Sequence, residues 1–204
     1  MIVLNSIFPG LIDFGGDGLP IWSEESKPWS ILMKGDLGLQ SQILSILGSD
    51  EESYIHPTAQ ICESAKIESP SYVGPNTIIR HGAYLRGGSW ICEGALVGNS
   101  SEIKNSILLP YSKAPHFNYV GDSIVGFGAN LGAGVKLSNV RNDRKGVAIT
   151  LEDGTKVDSG LMKMGAIIGD GSQLGCNVVT NPGVIIPPNS MIKPNETITG
   201  WFLA

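Results

Sequence analysis

Positive charge is scarce and scattered. The chain has 14 Lys and Arg against 19 Asp and Glu in 204 residues, a net charge of −5, with no basic cluster. That balance argues against nucleic acid or an anionic membrane as the main partner, although a small anionic ligand needs only a few placed cations. No Lys or Arg precedes Lys27, so the charged start of a secretory signal is missing, and no apolar run approaches the ~20 residues of a membrane span; a cytoplasmic location is expected. Histidine is limited to His56, His81 and His116, whose spacing does not suit a three-histidine zinc site, so no metal is expected. The three cysteines, Cys62, Cys92 and Cys176, have no metal-type spacing and leave one over.

Glycine and proline, by contrast, are abundant, at 27 and 12, beside 42% hydrophobic residues. This is the composition of a turn-rich β protein rather than of a disordered chain. The aliphatic residues have a period of six: Ile55, Ile61, Ile67, Val73, Ile79, Leu85, Ile91, Val97, Ile103, Leu109. Four residues after each of the first eight stands a small or β-branched one, from Ala59 and Ala65 to Ala95 and Ser101. No helix uses that spacing, whereas the hexapeptide rung of a parallel β-helix does. Three rungs close a triangular coil with the aliphatic side chains stacked inside, and coils bond to their neighbours at about 4.8 Å. The expected fold is an all-β solenoid, a left-handed parallel β-helix of hexapeptide repeats with a small N-terminal cap. The hand follows from the known behaviour of hexapeptide coils, not from the spacing. Cys62 and Cys92 lie five rungs apart, hence on different faces, and a disulfide between them is not expected.

Residues 1–54 lack the six-residue phase and are read as the cap; residues 55–204 form the β-helix. Within the cap, Leu39, Ile43, Leu44, Ile46 and Leu47 predict a short helix that Asp36 could cap and Gly48 could end. GGDG at 15–18 is a weak phosphate-loop signal. The phase breaks after Leu109 and resumes at Val125, Leu131 and Leu137, predicting a loop near 110–119 that carries His116. A second break, 138–163, contains EDGT between short alternating runs (Val147, Ile149, Leu151) and predicts a hairpin or long loop leaving the coil. The last ladder runs Ile168, Leu174, Thr180, Ile186, Ile192, Ile198.

Polar residues collect around these breaks. Arg86 and Lys104 are one coil apart and should project one above the other, either as solvated surface cations or as a pair for a phosphate. His116 could be structural or, near neutrality and beside Tyr119 and the cations, a general base.

From Arg86 onward the stretches YLRGG, ALVGNSSEIKN, HFNYVGDSIVG, ANLGAG, SNVRNDRK and GAIIGDGSQLGCNVVTNPGVIIPP resemble the acetyltransferase half of the bifunctional glucosamine-1-phosphate acetyltransferase / N-acetylglucosamine-1-phosphate uridyltransferases, and still more their archaeal-type sugar-1-phosphate nucleotidyltransferase relatives. The resemblance covers about 110 residues. It implies a CoA-dependent acyltransferase, of the N-acetyl type, with acetyl-CoA as co-substrate and an amino sugar phosphate or nucleotide-linked sugar as acceptor. His116 would be the general base; Arg86, Lys104, Tyr119 and Lys145 would gather on the phosphate, and Asn130 on the sugar ring. Ala133, Asn139, Gly165, Ala166, Gly175 and Cys176 would line the coenzyme path. A homotrimer with active sites between neighbouring prisms is implied, and no uridyltransferase domain. An inactive sugar-phosphate-binding or assembly subunit and an O-acetyltransferase are the alternatives.

Overall fold

The computed structural model describes residues 4–23, 27–48 and 52–203. From Tyr54 onward the chain winds into a prism walled by three parallel seven-stranded sheets. The first face opens with Tyr54–Ile55, Ser71–Val73 and Ser89–Ile91. The second opens with Gln60–Ile61, Ile78–Ile79 and Leu96–Asn99. The third opens with Lys66–Ile67, Tyr84–Leu85 and Glu102–Lys104. In every sheet each strand pairs with the strand one coil away, so the sheets arise from winding alone. Inside stand the predicted ladders, from Val73 and Ile79 to Ile192 and Ile198, in one continuous core.

The corners show why the small residue of each rung is needed. Ser71, Thr77, Ala83, Ser89, Ala95 and Ser101 are all buried, and the hydroxyls of Ser71 and Ser89 donate to the carbonyls of Glu68 and Arg86, three residues back. Each closes its corner and satisfies itself locally.

Two predictions about phase are corrected. The inward residue of the fourth first-face strand is Leu108, in register with Ile91 and Val125; Leu109 is buried in a second core outside the sheet. The coil has shortened a corner: Ile103 to Leu108 takes five residues, and Val120 to Val125 does the same. Here the hydroxyls of Ser106 and Ser123 close onto carbonyls only two residues back, at Lys104 and Gly121. Consequently there is no loop at 110–119. Lys113–His116 and Tyr119–Gly121 are strands of the second and third faces, and Ala114 and Val120 take the ladder positions. The break in phase is a deletion absorbed at a corner, not an insertion.

The chain does leave the prism between Leu137 and Ala166. Within this excursion Ala148–Thr150 pairs antiparallel with Lys156–Asp158, so that of the two expected forms, hairpin or long loop, the segment takes the hairpin. Its Val147 and Ile149 are buried in the second core.

That second core also places the N-terminal segment. The outward column of the first face is Tyr72, Trp90, Ile107, Ile124, Ile167 and Ile185, apolar from coil to coil. Such a column needs cover, and Ile7, Phe8, Trp29, Ile31, Leu32, Leu39 and Ile43 supply it. The segment therefore caps the flank of the prism and leaves the first coil's end open, with Ile55 46% exposed. Two ties hold it. Asp170 accepts the amide protons of Gly10 and Phe127, and the Trp29 indole donates to the Ser159 carbonyl. The predicted helix spans Leu39–Ile46 and is capped by Gly38, with no side-chain cap bond from Asp36 or any other residue; Leu39 and Ile43 face the prism, while Leu44 is exposed. GGDG has a packing role at its last residue: the Gly18 carbonyl receives the Trp90 indole N–H, and a Cβ at Gly18 would run into the Tyr72 hydroxyl.

Candidate functional site

Most of the residues singled out by sequence fall on the two edges of the third face. At the edge leading in from the second face, successive coils stack His81, Asn99, His116, Ala133 and Cys176. The Asn99 carbonyl receives the Phe117 amide, the His116 carbonyl the Gly134 amide, and the Ala133 carbonyl the Asn177 amide. His116 ends the strand Lys113–His116, in register with Asn99, and its side chain is exposed. Its backbone is held by Asn118, a residue the sequence reading missed. The buried Asn118 carboxamide accepts the His116 amide proton at 3.0 Å and donates to the Gly132 carbonyl at 2.7 Å. A Cβ on Gly98 would meet the Pro115 carbonyl, so only glycine lets this strand approach the coil before it. In the two coils above His116 the same edge carries Ala133 and Cys176, both small, followed by Pro194, against which Gly175 packs.

At the opposite edge lie the cations. Arg86 and Lys104 are one coil apart in register, as their spacing predicts. Neither is free. The Arg86 guanidinium meets Glu102 at 3.0 Å, with both side chains more than a third exposed. The Lys104 ammonium meets both oxygens of Asp122, at 3.1 and 3.2 Å. Asp122 is only 4% exposed and also accepts bonds from the carboxamides of Asn105 and Asn139. The hydrogen bond to Glu102 holds the Arg86 guanidinium above its ordinary range.

Between the edges runs the outward column of the third face, in which Tyr119 is flanked by Glu102 and Lys136. Its hydroxyl lies 3.4 Å from the Asn139 carboxamide oxygen. Burial first, then the charges of Glu102 and Asp122, pushes its phenol up. Tyr119 thereby links the cation edge to Asn139, making one polar strip of Arg86, Glu102, Lys104, Asp122, Tyr119 and Asn139.

The remaining predicted residues lie apart from that strip. Asn130 projects from the second face, between Lys113 and Gln173. Lys145 is on the excursion, in a turn where Asp143 accepts its amide proton and grips the Arg141 guanidinium; the same guanidinium holds the Asp143 carboxyl well below the usual range. Gly165 and Ala166 are buried at the cation edge. A Cβ on Gly165 would collide with Ser123, and the Ala166 amide already donates to the Ser123 hydroxyl. Within one chain, His116 and the cation pair therefore belong to separate edges of one face.

Among the described residues no helix is long and apolar enough to cross a membrane. No protein-family model matches the chain. The bifunctional sugar-1-phosphate nucleotidylyltransferase/acetyltransferase of Sulfurisphaera tokodaii is 34% identical over 191 residues, 87% of this chain and 46% of that protein. The bifunctional protein GlmU of Methanococcus vannielii is 36% identical over 187 residues, 85% of this chain and 43% of that protein. An uncharacterized acetyltransferase, YaiX, of Escherichia coli is 35% identical over 147 residues, 72% of this chain and 64% of that protein. The chain spans somewhat less than half the length of the two bifunctional relatives. With rungs of this spacing and relatives of this identity, the chain is a hexapeptide-repeat protein that resembles the acetyltransferase half of the bifunctional sugar-1-phosphate nucleotidylyltransferase/acetyltransferases.

Proposed function

We propose that the chain is a CoA-dependent acyltransferase that moves an acetyl group from acetyl-CoA to the amine of an amino sugar phosphate or nucleotide-linked sugar, with His116 as general base. The observation that carries this reading is the exposed His116 imidazole on a corner whose backbone is held by Asn118 and above which the small residues Ala133 and Cys176 stack in the next two coils. Small groups there leave an edge along which a long thioester can lie beside the imidazole. The acceptor nitrogen attacks the thioester carbon, His116 takes the proton as the tetrahedral centre forms, and the C–S bond breaks as the imidazolium passes that proton to the departing sulfur, releasing CoA as a thiol. A base so placed typically contributes ~10²–10⁴-fold. Holding the two substrates in register contributes as well.

The phosphate falls to Arg86 more than to Lys104. Exchanging Glu102 for a phosphate on Arg86 gives up an exposed pair worth about 0–1 kcal/mol. Lys104 is committed to the buried Asp122 and supplies field rather than direct contact. Since the imidazole and the cations occupy different edges, the reading includes a homotrimer in which the seam between prisms joins the His116 edge of one subunit to a neighbour's surface. Gly165, Ala166 and Asn139 are buried at the other edge, so on this reading they shape the prism and do not touch the coenzyme.

The test is CoA-thiol release from acetyl-CoA with a panel of amino sugar phosphates, beside sedimentation to define the assembly. Turnover that requires the phosphorylated amino sugar and disappears in His116→Ala, with the trimer retained, supports the proposal. Ligand binding without thiol release from any acceptor would instead make the chain a binding subunit, and unchanged turnover in His116→Ala would remove the base.

A further inference from the structure

Two and three coils before His116, on the same edge of the prism, three side chains that the proposed reaction does not use form a hydrogen-bonded chain. The Ser64 hydroxyl lies 2.6 Å from Nδ1 of His81 and 3.3 Å from the Cys62 sulfur. It also accepts the Gly82 amide proton at 3.3 Å. A hydroxyl has one proton to give and two lone pairs. With the Gly82 N–H on one lone pair, the arrangement that uses the rest has the thiol donating to Ser64 and Ser64 donating to His81. All three side chains are exposed.

The arrangement is specific to this corner. His56 and Thr58 repeat the local contact one corner earlier, at 2.9 Å, with the Thr58 hydroxyl accepting the Asn76 amide, but no thiol joins it. Of the other two cysteines, Cys92 is buried, and burial pushes its thiol up. Cys176 is exposed on the same edge.

We propose that Cys62, Ser64 and His81 form a reactive thiol centre that exchanges with small disulfides. In the step, the Cys62 proton passes to the Ser64 oxygen as the Ser64 proton passes to Nδ1 of His81. The Cys62 thiolate attacks one sulfur of the disulfide, forming a new S–S bond while the old one breaks. The departing thiolate takes the proton from the imidazolium, so one thiol and one disulfide are consumed and one of each is produced. A thiolate beside hydrogen-bond donors and an imidazole is the reactive form of cysteine. The Ser64 hydroxyl and amide lower the Cys62 thiol, against opposition from burial and from the Glu63 charge.

Cys176, also exposed, is the internal control. The full chain is treated at neutral pH with the chromogenic aryl disulfide dithiobis-nitrobenzoate, and thiolate release is followed in wild type and in Cys62→Ser, Cys176→Ser, Ser64→Ala and His81→Gln, each checked for an unchanged thermal midpoint. We expect a fast phase several-fold quicker than the reaction of Cys176. It persists in Cys176→Ser, is lost in Cys62→Ser, and slows to the Cys176 rate in Ser64→Ala and His81→Gln. His81→Gln is the decisive variant, since it leaves the Ser64–Gly82 bond in place. A Cys62 rate no greater than that of Cys176, or one indifferent to His81→Gln, overturns the proposal. Because the readout needs neither acetyl-CoA nor a sugar, it stands or falls apart from the acyltransferase reading.

Discussion

The Asn118 carboxamide oxygen accepts the amide proton of His116 at 3.0 Å, while the same side chain donates to the Gly132 carbonyl of the next coil. A buried asparagine thus fixes the backbone that presents an exposed imidazole. His116→Ala should lower acetyl transfer by ~10²-fold or more with little change in stability. Asn118→Ala leaves buried backbone groups unpaired and should cost about 2–3 kcal/mol. At temperatures where it remains folded it should lower kcat more than it raises KM, without moving the pH profile. Steady-state kinetics beside urea unfolding separates the two, and a shifted pH profile in Asn118→Ala would argue against a positioning role.

The two cation pairs should behave differently when broken. Arg86→Ala removes an exposed pair and should change stability by about 0–1 kcal/mol. Lys104→Ala leaves the buried Asp122 carboxylate with only two carboxamides and should cost about 1–3 kcal/mol. In kinetics, Arg86→Ala should raise KM for the phosphorylated acceptor far more than for the unphosphorylated amino sugar. Equal losses for both acceptors would remove the phosphate role.

Thr180 occupies an aliphatic ladder position, and its hydroxyl, fully buried, finds no hydrogen-bond partner among the described residues. Thr180→Val has nearly the same shape and removes the unpaired group, so it should stabilise the protein by roughly 1 kcal/mol. A higher denaturation midpoint with an unchanged slope is the expected reading; a lower midpoint would mean that the hydroxyl is satisfied in solution.

Tyr72 stacks between Tyr54 and Trp90, with ring centroids at 4.9 and 4.6 Å. Burial foremost, then the neighbouring Cys92, Tyr54 and Asp17, pushes its phenol up to about 12. The folded state therefore keeps a proton that the unfolded chain gives up near pH ~10. The contribution is whole below about pH 10 and is lost as pH rises toward about 12. Urea midpoints across that window should fall less steeply in Tyr72→Phe than in wild type; identical slopes would exclude Tyr72 as the source.

The repeat was legible because a six-residue rung repeats one physical demand, an aliphatic inside and a small residue at the corner. Even so, the run Ile107, Leu108, Leu109 satisfies two registers by composition alone. Only the tightened corners at Ser106 and Ser123 select Leu108 and turn an expected loop at 110–119 into strands. The partners of the cations were equally hidden. Glu102 and Asp122 lie a coil away from the residues they neutralise, and sequence spacing reports which residues stack, not which side chains turn toward each other. Asn118 carried no signal beyond its nearness to His116.

The sequence by itself determined that this chain coils, since an aliphatic period of six suits a parallel β-helix and no helix. It also determined that Arg86 and Lys104 sit in successive coils and that the chain leaves the prism after Leu137, as a hairpin or a long loop. Only the tertiary structure decided that the N-terminal segment covers the flank instead of the end, because the outward column from Tyr72 to Ile185 becomes one apolar stripe only once the coils are stacked. It alone separated the imidazole and the cations onto two edges of one face, since which edge a residue occupies depends on the summed lengths of every corner before it.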